Sequence, residues 1–96
     1  MSHHITEDIK KLFRAVLTLE SEEECAAFFE DLCTIKELQA LSQRLCVAEM
    51  LKNGKKYQLI GEETGASTAT ISRVNRCLNY GSGGYARVLE NLDKSK

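Results

Sequence analysis

The sequence predicts an all-α chain of about six helices, and three observations carry that prediction. Apolar residues recur at spacings of three and four along nearly the whole chain, and no stretch alternates apolar with polar as a half-buried strand does. Proline is absent, so no ring geometry forces a helix break. Helix-opening pairs of the S/T-x-x-E type and glycine stops punctuate the chain.

The first helix is predicted from Ile5, Ile9, Leu12, Phe13, Val16 and Leu17, with Thr6 or a polar neighbour opening it and Leu19-Glu20-Ser21 ending it. Ser21 with Glu24 forms a capping box for a second helix carrying Ala26, Phe28, Phe29 and Leu32. Thr34 with Glu37 forms another, opening a third helix near Ile35 that continues through Leu38, Leu41, Leu45, Ala48 and Leu51. Ser42 is a point at which that helix can divide into a short and a long piece. Asn53-Gly54 stops it. After the motif that follows, Asn79-Tyr80-Gly81-Ser82-Gly83-Gly84 reads as a loop, since each Gly costs about 1 kcal/mol in a helix interior. Tyr85, Val88, Leu89 and Leu92 form a last short amphipathic helix.

Residues 57–78 carry a helix-turn-helix pattern. Leu59 and Ile60 lie on a short first helix, and Gly61 stands where two crossing helices approach. Gly65 can take the left-handed conformation that ends a helix within a short turn, and Ser67 can cap the next one. Ile71, Val74 and Leu78 make one stripe of the second helix. Its other face carries Ser67, Thr68, Ala69, Ser72, Arg73 and Arg76, and from Ser67 to Leu78 there is no Asp, Glu or Lys. A solvated helix face ordinarily carries long Glu and Lys side chains in i, i+4 pairs. Short side chains with two guanidinium groups suit a DNA major groove instead, because the backbone can approach and Arg can fork onto guanine or phosphate. Thr68, Ala69 and Ser72 are the expected base-edge residues, partly through water. Gln58 is expected at a base or phosphate, and Lys55, Lys56, Arg73 and Arg76 at phosphates.

The chain has 96 residues, 43% apolar and 28% charged, which bounds it to one soluble globular domain over residues 1–96. No apolar run spans a membrane and no signal peptide is visible, so a cytoplasmic location without membrane partners is expected. The net charge of −1 is unequally distributed. Residues 1–33 hold eight acids against Lys10, Lys11 and Arg14, a net of −5, whereas residues 52–80 hold five bases against Glu62 and Glu63, a net of +3. The basic charge thus lies on the motif and its approach, and local field governs the binding of a polyanion. Cys25, Cys33, Cys46 and Cys77 form no C-x-x-C pair and have no nearby His, so no metal site is expected; they read as reduced, packed small hydrophobes. A redox role for Cys77 has little support, and His3 and His4 are assigned no function. No Cys–His or Ser–His–Asp arrangement is legible, so an enzyme is not expected, nor a cofactor beyond a small-molecule effector. The wide apolar surface of the first helices suits either a monomer core or a core interleaved between two chains. Two-fold pairing is favoured, because it places two recognition helices in successive major grooves about 34–36 Å apart.

Two runs, Leu41-Ser42-Gln43-Arg44-Leu45 with Ala48-Glu49-Met50-Leu51, and Thr64-Gly65-Ala66-Ser67-Thr68-Ala69-Thr70-Ile71-Ser72-Arg73, with Gly54 between them, resemble the Trp repressor superfamily, most closely its shorter YerC/YecD-type branch. The resemblance covers about residues 6–94 and implies an intertwined all-helical homodimer that represses transcription from a palindromic operator. It also implies an effector pocket. Arg44 matches the Arg that packs on the family's indole ligand, Arg73 the Arg that binds its carboxylate, and Thr34 and Thr70 two pocket threonines. Val74 replaces the family's Gly and Cys77 its Ser. Val adds three carbons beside the indole slot, and overfilling a packed site costs about 1–3 kcal/mol. Cys is a poor acceptor for an ammonium. Tryptophan is therefore not the expected effector; a smaller or different one, or none, is. The alternative reading is a helical protein–protein interaction module that never contacts DNA.

Overall fold

The computed structural model describes residues 4–95 and contains six helices and no strand among them. The chain divides into two compact units, residues 1–38 and 39–96.

The N-terminal unit holds α1 (Glu7–Val16), α2 (Glu22–Leu32) and the first turn of α3 (Ile35–Lys52). Each start is chemically specified. The Thr6 hydroxyl accepts from the Ile9 N–H at 3.2 Å, with Glu7 and Asp8 in the first turn of α1 and Arg14 in the last, as the helix dipole favours. The Ser21 hydroxyl accepts from the Glu24 N–H at 3.1 Å, while the Glu24 carboxylate accepts from the Glu20 N–H, one residue before the cap. At α3 the box is reciprocal: Glu37 N–H to the Thr34 hydroxyl at 3.1 Å, and Thr34 N–H to the Glu37 carboxylate at 2.8 Å. Neither α1 nor α2 buries a residue: Phe13 is 48% exposed and Leu17 81%.

In the second unit α3 is followed by α4 (Tyr57–Thr64), α5 (Thr68–Tyr80) and α6 (Gly84–Lys94). α3 runs unbroken through Ser42; a single Ser does not interrupt an otherwise continuous helical ladder, so the expected division is absent. It ends at Lys52, and Gly54, at φ +77°, turns the chain, with the Lys55 N–H bonded to the Met50 carbonyl at 3.0 Å. The core is Val47, Ala48, Ile60, Ala66, Ile71, Val74 and Leu89, with Met50, Leu51 and Tyr85 packed on it. It is small, and the cysteines lie outside it: Cys25, Cys46 and Cys77 are exposed and Cys33 is half-buried. The expectation of four packed thiols is thus corrected: α2 and its C-cap Cys33 belong to a unit whose helices α1 and α2 bury no residue, and on α3 and α5 the enclosed positions are Val47, Ala48, Ile71 and Val74 and not Cys46 or Cys77. The four are free thiols. The predicted last loop is also shorter than expected, since α5 keeps Asn79 and Tyr80 and α6 begins at Gly84. The Asn79 amide donates to Asn75 at 3.2 Å, one turn back, which supports that extra half-turn. No helix of the described residues is long and apolar enough to cross a membrane.

Candidate nucleic-acid interface and adjoining cavity

The turn between α4 and α5 is only Gly65-Ala66-Ser67, and its hydrogen bonds explain its geometry. Gly65 sits at φ +74°, where a β-carbon is strained, and its N–H bonds to the Gly61 carbonyl at 2.9 Å. The Thr64 hydroxyl donates to the Ile60 carbonyl at 2.7 Å and accepts from the Ala66 N–H at 3.1 Å. The Thr64 carbonyl, one of those a helix leaves unpaired at its end, accepts from the Gln43 amide of α3 at 3.1 Å. Ala66 is buried and anchors the turn in the core. The Ser67 hydroxyl caps α5 by accepting from the Thr70 N–H at 3.1 Å, and also donates to the Thr70 hydroxyl. The entry direction of α5 is therefore set by both ends of the turn and by α3. Gly61 contributes less than expected: a β-carbon there would lie 3.5 Å from the Ala66 carbonyl, an ordinary contact, so close helix crossing does not require glycine.

α5 buries Ile71 and Val74 and leaves its opposite face outward. Ser67, Thr68, Ala69, Arg73 and Arg76 are exposed and Ser72 is half-buried. The first turn of α5 carries no acid, so the positive end of its dipole is uncompensated. Lys55 and Lys56 are exposed immediately before α4, and Lys56 occupies its N-cap position without a capping side-chain bond. Gln58 is also exposed, but its amide donates to the Glu62 carboxylate at 3.4 Å. Any contact Gln58 makes thus carries a negative charge one turn away.

Beneath α5 lies a cavity of about 300 Å³ lined by Arg44, Arg73, Val74, Cys77 and Tyr85. It brings together four of the six residues expected at an effector pocket. Thr70 is instead engaged with Ser67, and Thr34, in the N-terminal unit, caps α3. Tyr85 was not legible as a lining residue; it reaches the cavity because Gly81 to Gly83 fold α6 back, with Gly83 at φ +82°. Gln43 was likewise missed, because a polar helix residue ordinarily reads as solvated. A second, apolar groove of about 510 Å³ adjoins, walled by Leu45, Cys77, Gly81, Ser82, Gly84, Tyr85 and Val88. No group of His, Cys, Asp and Glu among the described residues could hold a metal ion. His3 lies outside the described residues.

Residues 7–93 match the family model of the Trp repressor protein. The Bacillus subtilis protein YerC, itself uncharacterised, is 53% identical over 89 residues, covering 93% of this chain and 86% of its own. A TrpR-like protein of Eubacterium eligens superposes with a TM-score of 0.88 at 56% identity, covering 92% of this chain and 91% of that one. A candidate Trp repressor of Staphylococcus aureus gives 0.90 at 50% identity, covering 96% of both. With its six helices in the same arrangement and the match running through almost its full length, the chain belongs to the Trp repressor family, a family of regulators rather than enzymes.

Proposed function

We propose that this protein is a sequence-specific DNA-binding regulator that represses transcription as a homodimer on a palindromic operator. The observation that carries the reading is the outward face of α5: a capped, acid-free helix end with short side chains and two exposed guanidinium groups. Thr68, Ala69 and Ser72 read base edges while Ser67 holds the helix start against the backbone. Lys55, Lys56, Arg73 and Arg76 position the protein on phosphates, and Gln58 contacts the flank. The dimer reading is supported by α1 and α2, which bury no residue yet present Phe13, Leu17 and Leu32. Apolar surface of that extent on a short chain calls for a partner, and two-fold pairing gives the half-site spacing of about 34–36 Å that two recognition helices need. The cavity at Arg44, Arg73, Val74 and Cys77 serves in this reading as the effector pocket, without Thr34 and Thr70, which are engaged at the starts of α3 and α5. Its departures at Val74 and Cys77 argue against tryptophan as the signal.

The test is selection of duplexes from a random pool by the purified protein, with and without L-tryptophan, alongside its mass in solution by analytical ultracentrifugation. A palindrome enriched in both arms by a dimer is the expected result. Enrichment only with tryptophan would overturn the effector reading. No enrichment, together with unchanged behaviour of Thr68→Glu and Ser72→Glu variants, would favour a protein–protein module.

A further inference from the structure

We propose that the cavity under α5 binds a small dianion carrying no ammonium group, a dicarboxylate or a phosphate monoester. The argument starts from charge. Arg44 and Arg73 both line one cavity, no Asp or Glu lines it, and neither guanidinium makes an ion pair or hydrogen bond among the described residues. Arg44 is half-buried and Arg73 is exposed. Two cations held near one space without a counter-charge leave a strong preference for an anion, and each guanidinium offers a rigid fork matched to carboxylate or phosphate oxygens.

The remaining lining sets the class. Each Arg supplies donors and no acceptor, and the Cys77 thiol accepts only weakly. A zwitterionic amino acid would satisfy one guanidinium with its carboxylate and bury its ammonium against these donors, at the cost of an unpaired charge. A dianion instead gives each Arg an acceptor. Size agrees: ligand pockets span roughly 300–1,000 Å³, and this one lies at the bottom of that range, with Val74 filling its inner wall from the core. The inference rests on the regulator reading for its biological consequence, but the binding itself does not depend on DNA.

The experiment is isothermal titration of the DNA-free protein with succinate, glycerol 3-phosphate, L-glutamine and L-tryptophan, repeated on Arg44→Gln and Arg44→Lys. The expected result is saturable binding of succinate or glycerol 3-phosphate at least tenfold tighter than either amino acid. Which of those two binds more tightly assigns the source of the anion. Arg44→Gln should weaken that binding about tenfold or more, and Arg44→Lys, which keeps the charge and loses the fork, by less. Thermal melting of both variants establishes that they fold. An Arg76→Gln variant separates the cavity from general attraction to the basic face, since Arg76 does not line it. Failure of both dianions to saturate, equal or tighter binding of an amino acid, or a loss in Arg76→Gln matching that in Arg44→Gln overturns the inference. Dianion binding without any selected operator would instead refute the DNA-binding reading and leave this one standing.

Discussion

Replacing Arg76 by Gln tests the DNA reading most directly, because the side chain is exposed and makes no ion pair among the described residues. Its removal should change stability by no more than about 0.5 kcal/mol, so any loss of binding reports on the interface. If Lys55, Lys56, Arg73 and Arg76 each contact a phosphate in both protomers of the proposed homodimer, the complex makes about eight phosphate contacts, for a log–log salt slope of roughly −7 at about 0.9 per contact. Between about 50 and about 200 mM salt the wild-type protein should then lose roughly 10⁴ in affinity, and the variant, with two contacts fewer, roughly 10³. The assay is fluorescence anisotropy of the selected duplex across that range. Flattening by about 1.8 in slope identifies a phosphate contact in each half-site, and flattening by about 0.9 identifies a monomeric complex. Weaker binding at an unchanged slope would refute the assignment, since it would mean that Arg76 acts on base edges or on the fold and releases no counterion.

Three further outcomes follow from the turn and its neighbours. Gly65→Ala should destabilise by about 1–2 kcal/mol, because the only cost is holding a β-carbon at φ +74° in open space, whereas Gly61→Ala should be neutral or stabilise by up to about 1 kcal/mol, as its β-carbon meets the Ala66 carbonyl at ordinary distance within a helix; denaturant midpoints separate the two. Thr64→Val keeps the shape but removes the bonds to the Ile60 carbonyl and Ala66 N–H, and should cost about 1–3 kcal/mol in the same unfolding assay. Glu62→Gln should tighten operator binding about threefold per protomer, the size of a screened interaction of roughly 0.5–1 kcal/mol; weaker binding would show that the bond to Gln58 positions that residue for DNA.

The order of the helices was legible because their ends are written in short-range chemistry. The boxes at Thr34 and Glu37 and at Ser21 and Glu24 use partners three residues apart, and the glycine stops at Gly54 and Gly65 take the left-handed backbone that a lone glycine after a helix implies. The face of α5 was legible for a related reason: a run of twelve residues without Asp, Glu or Lys is a local property of the chain. Burial was less legible. The thiols at Cys25, Cys46 and Cys77 sit among apolar neighbours in sequence, yet the enclosed core draws on only seven residues, and sequence neighbours on a helix point in different directions.

The cavity shows where local reasoning stops. Arg44 and Arg73 stand 29 positions apart, and only the packing of α3 against α5 brings their side chains to one space. Tyr85 joins them because Gly83 adopts a left-handed turn that aims α6 back over the same region, a consequence of backbone direction that no spacing rule encodes. The same packing sets two demands on α5 at once. Val74 and Ile71 must face the core, which leaves Arg73 and Cys77 on the flank between the core and the outer face. Arg73 is consequently the one side chain available both to the cavity and to a phosphate, and its fork cannot bind both with full geometry. On the proposed reading, a ligand that engages Arg73 would therefore compete with, or reorient, one phosphate contact per half-site. Coupling between effector and operator then needs no rearrangement of the turn that Thr64, Gln43 and Ser67 hold in place.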